Sequence, residues 1–111
     1  LSIETSWYYT ERKEDFTNRI VEITRTPARI SILLDNGRLV KIERLTLIDG
    51  AQTSYPAKSV GSIEARFAGG IMILVVVFLP PFKTWEIGYS PDKPLIQAVA
   101  RDAMLLVKEG K

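Results

Sequence analysis

The chain contains no cysteine and no histidine. Without cysteine there is no disulfide framework and no thiolate metal site, so nothing points to an oxidising or a reducing compartment. Without histidine the commonest general base, the commonest transition-metal ligand and the usual pH switch are all missing. A nucleophilic triad of the ordinary kind cannot be assembled from what remains. Neither a phosphate-binding loop ending in Lys-Ser or Lys-Thr nor a Gly-x-Ser-x-Gly elbow occurs. Charge of one sign is also scarce, since 15 basic and 13 acidic residues leave a net charge of +2. A dedicated nucleic-acid binder carries a larger and more clustered excess. Long apolar runs are missing too. Ile71 to Leu79 is wholly apolar, but a membrane-spanning helix needs about 20 such residues. Gly69-Gly70 and Pro80-Pro81 bracket that run with breakers. Leu1 to Thr5 lacks the basic start and apolar centre of a signal peptide. The expected location is therefore cytoplasmic, with membrane association only through a partner or a flanking segment.

What is present is an ordinary globular composition, 46% hydrophobic and 25% charged, over 111 residues. That length suits one domain with one core. Most of the chain alternates with period two, as half-buried strands do. Ile3, Thr5, Trp7 and Tyr9 mark a first strand. Asn18 to Arg25 comes next, with Val21 and Ile23 on one face and Ile20 on the other. Ile30, Ile32 and Leu34 alternate with Arg29, Ser31 and Leu33. Asp35-Asn36-Gly37 then supplies residues that tolerate the positive φ of a tight hairpin. It has the start of a calcium loop, but the later ligands are missing and a hairpin accounts for it. Arg38 to Ile48 should return as one strand, with a bulge or bend near Glu43-Arg44, because Val40 and Ile42 are out of phase with Leu45 and Leu47. Asp49-Gly50 makes the next turn, and a short strand from Ala51 ends at Pro56. Val60 to Phe67 alternates again. Ile71 to Leu79 reads as a strand buried on both faces or nearly so. Lys83 to Tyr89 puts Trp85, Ile87 and Tyr89 on one face.

The period then changes. Leu95, Ile96, Val99, Ala103, Leu106 and Val107 recur at helical spacing, with Gln97, Arg101, Lys108 and Glu109 opposite. Asp92 can cap the helix and Pro94 suits its first turn. The expected fold is mainly β (α+β): about seven antiparallel strands in an open barrel or sandwich, covered by one C-terminal amphipathic helix over about residues 94–109.

The run Val40-Lys41-Ile42-Glu43-Arg44-Leu45-Thr46-Leu47-Ile48-Asp49-Gly50 meets a Ser54-Tyr55-Pro56 step and then Ser59-Val60-Gly61-Ser62-Ile63. With the final strand and helix, it resembles small bacterial pleckstrin-homology-like (PH-like) domains over roughly residues 38–110. The resemblance implies a partly open barrel plugged by the helix, and a binding or scaffolding module rather than a catalyst. It also implies homo-oligomers or attachment to membrane proteins. The phosphoinositide site of eukaryotic members does not carry over, because Arg12-Lys13 is followed at once by Glu14-Asp15.

Two groups of residues are candidates for binding. Arg29, Arg38, Lys41 and Arg44 would form a basic stripe across the hairpin, suited to an acidic protein partner or an anionic membrane surface. Against that stands an ordinary charged face that discourages edge pairing. Trp7, Tyr8 and Tyr9, beside Arg12 and Lys13, would form a stacking platform for single-stranded nucleic acid or an interfacial membrane anchor. Against that stand two aromatics packed into the core from one strand. Glu22, Asp35, Glu43, Asp49, Glu64 and Glu86 have no diagnostic spacing and read as solvated faces and turns. No catalytic residue, metal ligand or cofactor is expected. A non-catalytic interaction or scaffold module is the first expectation. A nucleic-acid-binding barrel and a structural subunit of a homo-oligomeric assembly are the alternatives, the last because a partner subunit would cover whatever part of Ile71–Leu79 the helix leaves open.

Overall fold

The computed structural model describes residues 18–51, 53–79 and 84–110. The strand expected over Ile3 to Tyr9, the loop at Arg12-Lys13 and the break at Pro80-Pro81 lie outside the described residues.

The chain folds as two antiparallel sheets and a C-terminal helix. Strands β1 (Ile20–Thr26), β2 (Arg29–Leu34), β3 (Leu39–Glu43), β4 (Thr46–Asp49) and β5 (Thr53–Pro56) form a five-stranded meander. A single 3-10 turn at Ala57–Ser59 leads to β6 (Val60–Ala68), β7 (Ile71–Phe78) and β8 (Thr84–Ser90), a second meander of three strands. Helix α1 (Lys93–Glu109) closes the chain. The sheets meet at one corner, where Arg19 bridges to Tyr89 in parallel and the Tyr89 N–H donates to the Asn18 carbonyl at 3.1 Å. Among the described residues no further ladder closes them into a barrel.

The hairpin at Asp35-Asn36-Gly37 forms as its residues dictate. Gly37 takes φ +88°, a region that side chains resist. The Arg38 N–H donates to Asn36 Oδ1 at 2.9 Å, which fixes the turn locally. Alternation then sends Ile30, Ile32 and Leu34 of β2 and Val40 and Ile42 of β3 into the core, all at 1% exposure or less.

Four expectations need correction. There are eight strands among the described residues, where about seven are expected for the whole chain. The excess arises because Arg38–Ile48 is two strands. The chain reverses at Arg44-Leu45, so that Ile42 pairs with Leu47. A reversal satisfies the phase change as well as a bulge does, and it leaves Leu45 at the turn, 70% exposed. A bulge does occur in β1, where the register skips Val21 between Ile20 and Glu22. It puts Ile20 in the core and Val21 outside, 51% exposed. In β8, Leu74 pairs with Gly88 but Val75 with Glu86, so Ile87 is the extra residue. Trp85 and Ile87 stay with the core, while Tyr89 turns to the other face as the partner of Ile73.

Helix α1 follows its sequence pattern. Asp92 accepts from the Leu95 N–H at 3.2 Å, and Lys108 sits in the last turn, where it complements the helix dipole. Ile96, Val99, Ala100, Ala103, Leu106 and Val107 are buried against both sheets. Two ion pairs fasten its outer side, Arg25 to Asp102 at 3.1 Å and Arg44 to Glu109 at 2.7 Å. Both are exposed, and such pairs contribute about 0–1 kcal/mol each. No helix among the described residues is long and apolar enough to cross a membrane.

Candidate functional site

The basic stripe expected from the sequence is neutralised. Arg29 lies opposite Glu43 in the β2–β3 register, and its Nε sits 2.8 Å from Glu43 Oε2. Arg44 reaches Glu109 at 2.7 Å and also donates to the Pro27 carbonyl at 3.5 Å. Arg38 leaves the stripe altogether. Its Nε is 2.7 Å from Oδ1 of Asp49, whose register partner is the buried Val40. Both atoms are shut off from solvent, and their alignment is poor for a hydrogen bond, so the contact is a close ion pair. Only Lys41 of the four has no carboxylate in ion-pair range among the described residues, and it lies between Ser31 and Ile48. The four are also dispersed. Arg29 and Arg44 line a cavity of about 730 Å³ beside Glu43 and Glu109. Arg38 and Lys41 flank a shallow depression between the hairpin tips that also contains Asp49. Trp7 and Tyr9 lie outside the described residues.

A different constellation forms where β5, β7 and β8 come together. Tyr55 pairs with Leu47 in register and so turns to the core side of β5. Phe78 ends β7, and Trp85, the second residue of β8, lies on the core side. Their rings pack: Tyr55 and Phe78 have centroids 4.9 Å apart, and Tyr55 and Trp85 5.7 Å apart, both tilted by 43°. These are attractive distances and orientations for aromatic quadrupoles. Tyr55 and Trp85 remain half-buried. Beside them opens a cleft of about 800 Å³, which Arg38, Asp49, Arg66 and Glu86 also line. The lining therefore joins an aromatic wall to two cations and two carboxylates. Pro56 ends β5 at the edge of its sheet, where a missing N–H costs nothing.

Reading the sequence places Trp85 only on a shared face with Ile87 and Tyr89, and Tyr55 only within a Tyr-Pro step. Nothing in strand periodicity says which strands of two different sheets will face each other, so the cleft is not visible there.

Among the described residues Glu64 is the one carboxylate with a clear displacement. The Ser62 hydroxyl donates to it at 2.8 Å and Arg66 Nε at 3.0 Å, and these bonds, with the nearby guanidinium charge, hold its pKa below the ordinary glutamate value. A lowered folded pKa gives stability that is present above the unfolded value and lost as pH falls through the folded one. The group is exposed, so the effect on stability is small. The direct check is a carboxyl titration by NMR. Glu64 should titrate below its unfolded value, and Ser62→Ala and Arg66→Gln should each raise its midpoint. An unmoved midpoint in both variants would contradict the assignment.

Among the described residues no group of three or more acidic side chains could hold a metal ion. Compared with known proteins, the chain matches no family model, no curated protein and no solved structure.

Proposed function

We propose that this chain is a non-catalytic interaction module that takes a segment of a protein partner into the cleft at Tyr55, Phe78 and Trp85. The aromatic wall carries the reading. Tyrosine, tryptophan and arginine are the side chains that dominate the energetics of protein interfaces, most of all where a shaped recess surrounds them. Here two half-buried aromatics stand beside Arg38 and Arg66 in one recess. The charges around it are balanced, which suits a mixed peptide better than a polyanion. The order of two sheets and a closing helix supports the PH-like likeness, and through it a binding role. The anionic-surface reading is the weaker one, because Arg29, Arg38 and Arg44 are each already held by a carboxylate.

Peptide display against the whole chain tests the proposal. Selected peptides should bind the wild type and lose about 30-fold or more in affinity on Trp85→Ala, the loss that defines a hot spot of about 2 kcal/mol. Amide shift changes on binding should centre on β5 and β8. Peptides that bind equally well to Trp85→Ala, or no binders at all, would overturn it. A circular dichroism spectrum of the variant checks that the fold survives.

A further inference from the structure

Helix α1 separates its charges by sign. Its two carboxylates, Asp102 and Glu109, lie on the flank next to the five-stranded sheet. Each is held there, Asp102 by Arg25 of β1 and Glu109 by Arg44 of the β3–β4 turn. Asp92, at the cap, accepts from the Leu95 N–H. The cations Lys93, Arg101 and Lys108 occupy a different arc. At about 3.6 residues per turn they fall within about 80° of one another, with Gln97 among them and no acidic residue inside that arc. All four side chains are exposed. Among the described residues none of the three cations has a carboxylate in ion-pair range.

A helix face that needs only solvation intersperses its signs, which gains i, i+4 pairs and limits self-repulsion. This face collects one sign in a single file. The file is also flanked by apolar side chains. Lys93 Nζ stands 5.4 Å from the centroid of the Phe67 ring, and that ring is more than half exposed. Leu105, one turn beyond Arg101, is more than half exposed as well. A cation over an aromatic face and an open leucine both gain when a partner excludes water from them.

We propose that this face of α1 is a second interaction surface, separate from the aromatic cleft, and that it docks an acidic amphipathic helix of a protein partner. Charge complementarity sets the sign of the partner. Spacing sets its form. Successive cations are eight and seven residues apart, about 12 and 10.5 Å along the axis. Carboxylates seven residues apart on a partner helix stand on one face at the same spacing. On one face of an extended strand the nearest steps are about 6.7 and 13 Å, which drift out of step over three sites. The partner's apolar residues then meet Phe67 and Leu105. An anionic membrane is the poorer fit, since a polybasic lipid site gathers about four to eight cations.

Panning a library of displayed helical peptides on the full chain carrying Trp85→Ala tests this. The cleft is disabled there, so a failure of the cleft reading leaves the result untouched. Selected peptides should carry Asp or Glu on one face at steps of seven or eight residues and bind the wild type equally well. They should lose about tenfold or more in affinity on Arg101→Glu/Lys108→Glu, where attraction becomes repulsion. Phe67→Ser should weaken them several-fold, and Lys41→Glu, an unpaired cation elsewhere, should leave them unchanged. Should Trp85→Ala not fold, panning on the wild type with Arg101→Glu/Lys108→Glu as the counter-screen gives the same reading. Peptides without an acidic face, equal binding to the reversed variant, or no binders at all overturn the proposal. So does sedimentation of the wild type, but not of the reversed variant, with phosphatidylserine-rich vesicles at physiological salt, which assigns the row to a membrane.

Discussion

Gly88→Val should lower the melting temperature of this chain more than any other substitution proposed for it. Gly88 sits in β8 where the two sheets meet. A Cβ there would lie 2.8 Å from the Asn18 carbonyl oxygen, 2.8 Å from Leu34 Cδ2 and 3.1 Å from Ile20 Cγ1. Leu34 could rotate away, but it is 1% exposed and has nowhere to go. The carbonyl cannot move without breaking the bond from the Tyr89 N–H that joins the sheets. Overpacking a filled core costs about 1–3 kcal/mol, so Gly88→Ala falls in that range and Gly88→Val at or above its top. For a domain of this size each kcal/mol shifts Tm by about 4–8 °C. Thermal melts of the three proteins should therefore fall in the order wild type, alanine, valine, well separated. A valine variant that melts with the wild type would mean that the sheets do not meet at this corner.

That corner also shows where sequence reading stops. The helix is legible down to its cap, because Asp92, Pro94 and a 3.6-residue apolar stripe all specify the same element. The β2–β3 hairpin is legible for the same reason: Asn36-Gly37 fits the turn and Ile30, Ile32 and Leu34 fit one face. The burial of β7 is implied by its composition. Elsewhere a single residue out of phase decides the outcome. Val21 and Ile87 are each an extra residue in a ladder, and each reverses the facing of the residues after it. Ile87 is why Tyr89 leaves the face it shares in period with Trp85. Phase breaks of this kind have several solutions that sequence alone leaves equal, and at Arg44-Leu45 the chain takes a reversal. The basic stripe misleads for another reason. Strand position gives the side on which a charge emerges, but ion pairing depends on distant partners such as Glu109, 65 residues from Arg44 along the chain. The cleft is hidden most completely, since Tyr55, Phe78 and Trp85 come from three strands in two sheets.

Asp49→Ala should have the second largest effect, and its consequence is electrostatic. Asp49 retains 18% side-chain exposure and Arg38 36%, so neither charge is fully hydrated. Removing the carboxylate strands a guanidinium whose Nε has no access to water. Losing a charged partner at a site of this kind costs about 2 kcal/mol, below the value for full burial because Arg38 is partly wet. Arg38→Ala/Asp49→Ala should recover much of that loss, because the double variant leaves no orphaned charge. Urea titration of the four proteins would then give a coupling energy of about 1–2 kcal/mol. The same cycle on the exposed Arg25–Asp102 pair should give less than about 1 kcal/mol and fade in high salt. Strict additivity for Arg38 and Asp49 would show that the pair is not linked. The single variant has a second use. Asp49→Ala turns a charge-balanced cleft into a cationic one, so it should gain salt-sensitive binding to anionic vesicles, while the wild type shows little. Strong sedimentation of the wild type at physiological salt would instead favour a membrane surface as the natural ligand, with Asp49 as a brake on Arg38.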